Sequence, residues 1–334
     1  MEFDFDRVFA ARPVILAPME DVSDAVFRRL CRAHGADICV TEFVRADNLV
    51  TSQPRELHKI ALDPGETHTA IQIYGSDPQR LAEAAEVAER AQPAYIDINC
   101  GCWVPRIARG GAGAGWLRNP DAMVAMARMV VSRAGLPVTV KTRIGWGDEQ
   151  EMPIVDLARR LEDAGVRAIT VHCRTAKMGY SGEADWSWAQ RVREVVSIPV
   201  IVNGDVRTAN DAKRALDSTG CAGVMVGRRA MEHPWVFNEV RDRLDRKGQR
   251  PAPTMQQRFE LCREHLIAMA EDRGERRAVR SMRRAYKGYL YKVEDLQELV
   301  DEINRIDSLQ GVLDALALGY EERAPAAAAA AAAS

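Results

Sequence analysis

Apolar residues in this chain come in short runs, each closed by a polar or glycine-containing turn and followed by an amphipathic stretch. The runs are VILAP (14–18), ADICVTE (36–42), TAIQIYG (69–75), YIDINCG (95–101), PVTVKTRIG (137–145), AITVHCRT (168–175), PVIVNGD (199–205) and GVMVGR (223–228). They are rich in β-branched residues and nearly continuous, the pattern of parallel strands buried on both faces. Between them PQRLAEAAEVAERA (78–91), DAMVAMARMVVSRA (121–134) and IVDLARRLEDAG (154–165) carry helical spacing, the last stopped by Gly165. Eight such strands alternating with helices over residues 1–246 predict an α/β fold of the TIM (β/α)8 barrel type. A doubly wound open sheet is the rival, and no GxGxxG follows the first strand to support it.

The pattern changes near residue 247. KGQRPAPT (247–254) reads as a linker, and only helical periodicity follows through residue 318, predicting a small all-helical C-terminal domain. Residues 319–334 form an Ala-rich, low-complexity tail with high helix propensity but no face to bury, expected to be disordered.

Composition narrows the class. Hydrophobic residues at 47% and charged residues at 28% suit a folded soluble enzyme, and the formal net charge of −2 argues against a protein coated in basic surface. Seven scattered cysteines read as reduced thiols. The acidic start MEFDFDRVF lacks the basic and apolar stretches of a signal peptide, and no apolar run is long enough to span a bilayer, so a cytoplasmic location is expected.

Polar residues gather where strands end. Met19, Gln72, Asn99, Cys102, Lys141, His172, Asn203 and Arg228 all fall at or just beyond the C-terminal ends of the runs, which form the active-site face of a TIM barrel. Gly204 and Gly227 follow the seventh run and close the eighth, where barrels of this kind bind phosphate with backbone amides; Arg228 adds a cation there. The same glycines would also serve tight turns. Lys141 interrupts an apolar strand; it suits the anionic edge of a reduced flavin, or it reaches solvent at the rim. Gln72 can bond the amide edge of such a ring or act as a structural amide. His172 and Arg174 end the sixth run, as ligand contacts or as structural residues. Cys102 lies on a glycine-flanked loop at the catalytic end, where a thiol mostly protonated at neutral pH could act as a general acid. Cys100 and Cys102 alone are a weak zinc signal, and no metal is expected. Asn99 could orient a planar base.

These motifs together resemble the tRNA-dihydrouridine synthase family: APM (17–19), TEFVR (41–45), QIYGSDP (72–78), DINCGC (97–102), GAG (111–113), VKTRIGW (140–146), VHCRT (171–175), NGD (203–205) and GRRA (227–230), in the family's order along the barrel. The resemblance implies FMN held by the backbone around Pro18 and Met19, by Gln72 and Lys141 at the ring, by His172, and by Asn203, Gly204, Asp205, Gly227 and Arg228 around the phosphate. It implies that Cys102 protonates carbon 5 of a uridine while reduced flavin delivers hydride to carbon 6, and that NADPH re-reduces the flavin. One position departs: the family usually has proline directly after the catalytic cysteine, and this chain has Trp103.

The helical region adds a basic run. From Arg276 to Lys292 there are seven basic side chains and no acidic one, with Tyr286, Tyr289 and Tyr291 between them. In a helix Arg276, Arg280, Arg283, Arg284 and Lys287 would form a stripe able to contact phosphates, with the tyrosines offering stacking. A solvated helix face, or pairing with the acidic helix that follows, is the plainer alternative. The expected substrate is tRNA, with Asn99, Arg174, Arg280, Arg283, Arg284 and Lys287 as RNA contacts. The expected protein is a monomer without a protein partner. The alternatives are the same chemistry on ribosomal RNA or a small pyrimidine, or a flavin- and RNA-binding module that has lost catalysis.

Overall fold

The computed structural model describes residues 3–147, 152–248, 250–291, 293 and 295–332. Lys292 of the basic run and residues 333–334 of the tail lie outside the described residues. The chain forms two compact units, one of residues 1–227 and 236–247, the other of residues 228–235 and 248–334.

The first unit is the barrel. Its strands are β1 (Val14–Leu16), β2 (Ile38–Val40), β3 (Val44–Arg45), β4 (Thr69–Tyr74), β5 (Ile96–Cys100), β6 (Val138–Arg143), β7 (Ala168–His172), β8 (Val200–Asn203) and β9 (Gly223–Val226). Every pairing is parallel, and the ring β1-β2-β4-β5-β6-β7-β8-β9 closes on itself through β9 and β1. All eight apolar runs supply the eight ring strands. The extra strand, β3, prolongs β2 after a break at Thr41–Phe43 and pairs only with the end of β4.

Strand alternation explains how the barrel makes a floor and a mouth. One set of alternate residues, Ile15, Ile38, Ala70, Ala168 and Ile201, packs into a single apolar cluster at the N-terminal end of the strands. The N-terminal helix Phe5–Ala10 plugs that end with Phe5 and Phe9, whose rings stand 5.8 and 6.1 Å from that of Tyr95. Two and four residues farther along the same faces come Gln72, Asp97, Asn99, Thr139, Lys141, Thr170, His172 and Asn203. The interior is therefore oily below and polar above.

A buried ion pair ties the helix Ala25–Ala33 to the segment before β4. Arg28 donates from Nε and Nη2 to the two carboxylate oxygens of Glu66 at 2.7 and 2.9 Å, and its remaining donors reach the carbonyls of Ser23 and Ala61.

The second unit is all helical. Met255–Arg273 is its longest well-capped helix, opened by a reciprocal cap between Thr254 and Gln257. Helices Glu275–Met282, Tyr286–Tyr289 and Leu296–Arg305 follow, and the last helix runs from Leu309 to Ala332. No helix among the described residues is long and apolar enough to cross a membrane.

Candidate active site

The polar upper layer is a connected hydrogen-bond network. Asp97 is buried; Thr139 donates to one carboxylate oxygen at 2.5 Å and Gln72 Nε2 to the other at 2.6 Å. Burial pushes the Asp97 carboxyl up, against the pull of those two donors. Gln72 Oε1 in turn accepts from Asn99 Nδ2 at 2.8 Å. Each amide is thus held in one orientation, with part of its bonding capacity left over for a ligand.

Asn99 also shapes the loop that carries the thiol. Its Oδ1 accepts from the backbone amides of Gly101 at 3.1 Å and Cys102 at 2.9 Å, turning the chain sharply as β5 ends. The Cys102 carbonyl accepts from Ala114 at 2.9 Å. Gly113 lies directly beneath with φ +56°, and a Cβ there would stand 2.7 Å from the Cys102 carbonyl oxygen, so only glycine fits. Arg143, fully buried, donates to the carbonyls of Gly101, Thr175 and Gly179 and so ties the thiol loop to the loop after β7.

Cys102 is the one free cysteine that is not buried. Burial of its sulfur pushes the thiol up, with Arg143 and Lys141 pulling the other way. It therefore keeps its proton at neutral pH. Cys100, two residues earlier, is fully buried and is pushed up further by desolvation.

Lys141 sits opposite Asn99 in the β5–β6 register. Its Nζ donates to Asn203 Oδ1 at 3.1 Å and makes no ion pair among the described residues. Desolvation first, and Arg143 second, push it down to about 8. Asn203 is held by donating Nδ2 to the Met225 carbonyl at 2.9 Å. A cation with one neutral partner is incomplete by itself.

The loops after β8 and β9 are tight. Gly204 has φ +115°, and a Cβ there would stand 2.8 Å from Ala184 and 3.1 Å from the ring of buried His172. Its carbonyl accepts from the Trp186 indole at 2.8 Å. Asp205, also at positive φ, accepts from Arg174 at 2.6 Å. Arg174 is buried and donates as well to the carbonyls of Ser181 and Gly182, while its Nη1 has no partner among the described residues. Gly227 closes β9 within 3.8 Å of the Met19 sulfur, measured from its would-be Cβ. Met19 is fixed by Ser23, whose hydroxyl accepts from the Met19 amide at 2.9 Å, with Pro18 just before it. The barrel unit thus collects Pro18, Met19, Gln72, Asn99, Cys102, Lys141, His172, Arg174, Asn203, Gly204, Asp205 and Gly227 at the C-terminal ends of its strands. Arg228 opens the helix Arg228–Glu232, which groups with the helical unit.

In that unit the basic run is not one continuous helix. The helix Glu275–Met282 ends before Arg283, and a second short helix begins at Tyr286. Arg276, Arg280, Arg284 and Lys287 are exposed. Arg283 is half-buried and pairs with Asp307 at 2.8 Å. Tyr286 and Tyr289 are fully buried and offer no stacking face; Tyr291 is exposed.

The residues that hold others in place are not among the sequence candidates: Thr139, Arg143 and Trp186 touch functional side chains or loops, although Arg143 is the last residue of β6. Thr139 had a readable signal, being two residues before Lys141 on the same face. The contact from Arg143 to the loop after β7 had none.

Comparison with known proteins gives one consistent result. A family model described as dihydrouridine synthase (Dus) matches residues 15–326. A protein of Vibrio vulnificus named tRNA-dihydrouridine synthase B is 33% identical over 303 residues, covering 91% of this chain and 94% of its own length. One of Synechocystis, named "Probable tRNA-dihydrouridine synthase 1", is 35% identical over 310 residues, covering 90% of this chain and 85% of its own. Among solved structures, a 2-naphthoyl-CoA reductase in complex with 2-naphthoyl-CoA superposes with a TM-score of 0.55 at 11% identity, over 69% of this chain and 50% of that one, a likeness of fold alone.

Proposed function

The chain belongs to the dihydrouridine synthase family, and we propose that it reduces a uridine of tRNA to 5,6-dihydrouridine, using bound FMN and NADPH as reductant. The residues at the mouth fit a flavin. The Lys141 ammonium has only a neutral partner, Gln72 and Asn203 are held with bonding capacity to spare, and Gly204 brings backbone close where no side chain could stand. Pro18, Met19, Gln72, Lys141 and His172 would hold the ring, with Asn203, Gly204, Asp205 and Gly227 toward the phosphate. Bound there, FMN would supply the hydride for carbon 6 of the uracil.

The chain supplies the proton. Cys102 carries it at neutral pH because burial raises the thiol, and Asn99 fixes the loop that presents it. A partly exposed cysteine on a loop held by Asn99, at the same strand ends as a lysine whose only bonded partner among the described residues is neutral, is the observation on which the reading rests. As a general acid Cys102 would contribute about 10²–10⁴ in rate. In a folded RNA the uridine must be swung out to reach the mouth, and contacts far from the reacting base would supply the energy. Asn99 on the barrel, and Arg280, Arg284 and Lys287 on the helical unit, are the proposed RNA contacts; Arg174, expected as one from the sequence, is buried against Asp205 and holds the loop after β8 instead.

The test uses purified protein with undermodified tRNA, following NADPH consumption and dihydrouridine formation beside Cys102→Ala. The wild type should form dihydrouridine and the variant should be strongly impaired while binding flavin equally. NADPH oxidation without any change in tRNA would remove the proposed substrate.

A further inference from the structure

Beside the thiol loop lies a cavity of about 420 Å³ that the proposed chemistry does not use. It is walled by the ends of β3 and β4, by the helices Ala46–Val50 and Pro54–Ile60, and by the short helix Pro105–Ala108 that follows Cys102. Its size falls in the ordinary range for small-molecule sites. Ile107 joins it to the active site: the Cβ position of Gly113 lies 3.2 Å from Ile107 and 2.7 Å from the Cys102 carbonyl oxygen.

Three features of the wall belong together. Phe43 and Tyr74 meet edge to face with centroids 5.3 Å apart, giving an aromatic surface. Glu56 is 7% exposed; its Oε1 takes only a long bond from Asn48 at 3.5 Å, and its Oε2 is buried with no partner among the described residues. A buried acceptor left open is costly, so a native fold keeps one where something else completes it. The rim carries Arg45, Arg55 and Arg106, all exposed. Arg45 and Arg55 have surface pairs with Asp47 and Glu20, which are weak and exchangeable, and Arg106 makes no ion pair among the described residues. Burial, with Glu20 next, pushes the Tyr74 hydroxyl up, so it remains a donor.

We infer that this cavity binds a nucleotide. The base lies against Phe43 and Tyr74, one of its N–H groups donates to Glu56 Oε2, and its phosphate meets Arg106 with Arg45 and Arg55 at the rim. A planar donor-bearing ring joined to an anion is the chemistry that satisfies an aromatic wall, an open carboxylate oxygen and an arginine rim together. Resting on the tRNA reading above, the nucleotide is one that neighbours the reduced uridine in the RNA chain. The nucleotide half of NADPH has the same chemistry, and the two sources separate by experiment.

The holoenzyme is titrated with AMP, GMP, CMP and UMP by saturation-transfer NMR, beside Glu56→Gln, which keeps shape, and Arg106→Ala, which is exposed and spares the fold. The same proteins are assayed with undermodified tRNA and NADPH. At least one monophosphate should bind the wild type, and each variant should weaken it about 5- to 30-fold. The KM for tRNA should rise by a similar factor with kcat nearly unchanged. A rise in the KM for NADPH in its place assigns the nucleotide to the reductant. Monophosphate binding that depends on Glu56 and Arg106 in an enzyme inert toward tRNA would remove the tRNA reading and leave the nucleotide site standing. No monophosphate binding, with both KM values unchanged, overturns the inference.

Discussion

Trp103 packs against Gly179: a Cβ at that glycine would stand 3.3 Å from three atoms of the indole ring. The same ring meets Tyr180 edge-on at 5.8 Å. Arg143 runs alongside, bonding the carbonyls of Gly101 and Gly179 at 2.9 Å each. The thiol loop is therefore braced by side-chain contact with the loop after β7, where a proline would brace it through its own fixed φ.

That arrangement makes Trp103→Ala informative. The loop should lose its brace but keep its hydrogen bonds, lowering the single-turnover rate about tenfold through misplacement of the thiol. Trp103→Pro should recover part of the loss. Flavin content should stay constant across both, and alkylation of Cys102 by iodoacetamide should be faster in Trp103→Ala alone. Equal alkylation and turnover in all three proteins would show that the brace is dispensable.

Asn99 serves the thiol loop and Gln72 with opposite ends of one amide. Asn99→Asp keeps the acceptor for the Gly101 and Cys102 amides and loses the donor to Gln72; Asn99→Ala loses both. Turnover should fall in that order, by about 10²-fold for alanine, with circular dichroism unchanged. Identical losses in the two variants would mean that the acceptor end contributes nothing.

Lys141 gives a pH signature. Its folded value lies near 8 against an ordinary 10.5, because burial disfavours the ammonium. The unfolded chain therefore binds more protons between those values, and stability of the flavin-free protein should rise with pH across that window. Below pH 8 the charge is a standing cost, on the order of 2 kcal/mol because the half-buried ammonium keeps some water. Lys141→Met should accordingly raise the Tm of flavin-free protein at pH 7 by a few degrees and weaken flavin binding. Thermal melts with and without FMN measure both; a lower Tm for the flavin-free variant contradicts the account.

The Arg28–Glu66 pair predicts the acid limb. Burial alone would raise the Glu66 carboxyl, but Arg28, through its hydrogen bonds and charge, holds it below its ordinary 4.5. A depressed carboxylate stabilises the fold above its unfolded value and loses that contribution as pH falls through the folded one. Glu66→Gln strands a buried guanidinium and should cost about 3–5 kcal/mol at pH 7. Its deficit against wild type should shrink below pH 4.5. Urea melts at pH 7 and in acid would show a pH-independent deficit if the pair did not matter.

The barrel was readable because strand burial leaves a local trace. Runs such as TAIQIYG and AITVHCRT are mostly apolar and buried on both faces, and Gln72 and His172 stand out in them as polar residues toward the C-terminal side. Partnerships are a different matter. That Gln72 bonds Asp97 and Asn99, and that Arg174 is buried against Asp205, depends on strands set side by side by the closure of the ring. The basic run shows a further limit: periodicity placed Arg280 and Arg283 on one stripe, but the helix ends between them, because Tyr286 and Tyr289 are drawn into the core and redirect the chain.

That break sharpens the expectation for RNA. Arg283 is tied to Asp307 and to the Ile306 carbonyl, so Arg283→Glu would set two carboxylates together and act through folding as much as through binding. Arg280 and Lys287 are exposed, and their reversal tests contact with phosphate alone. Arg280→Glu and Lys287→Glu should each weaken tRNA binding at low salt and reduce the slope of log affinity against log salt by about one. Flavin content and melting temperature should hold. Arg283→Glu, by contrast, should lower the Tm. If the first two variants bind tRNA with wild-type affinity and slope while Arg283→Glu alone loses binding, the basic run is a structural feature of the helical unit and the RNA contacts lie elsewhere.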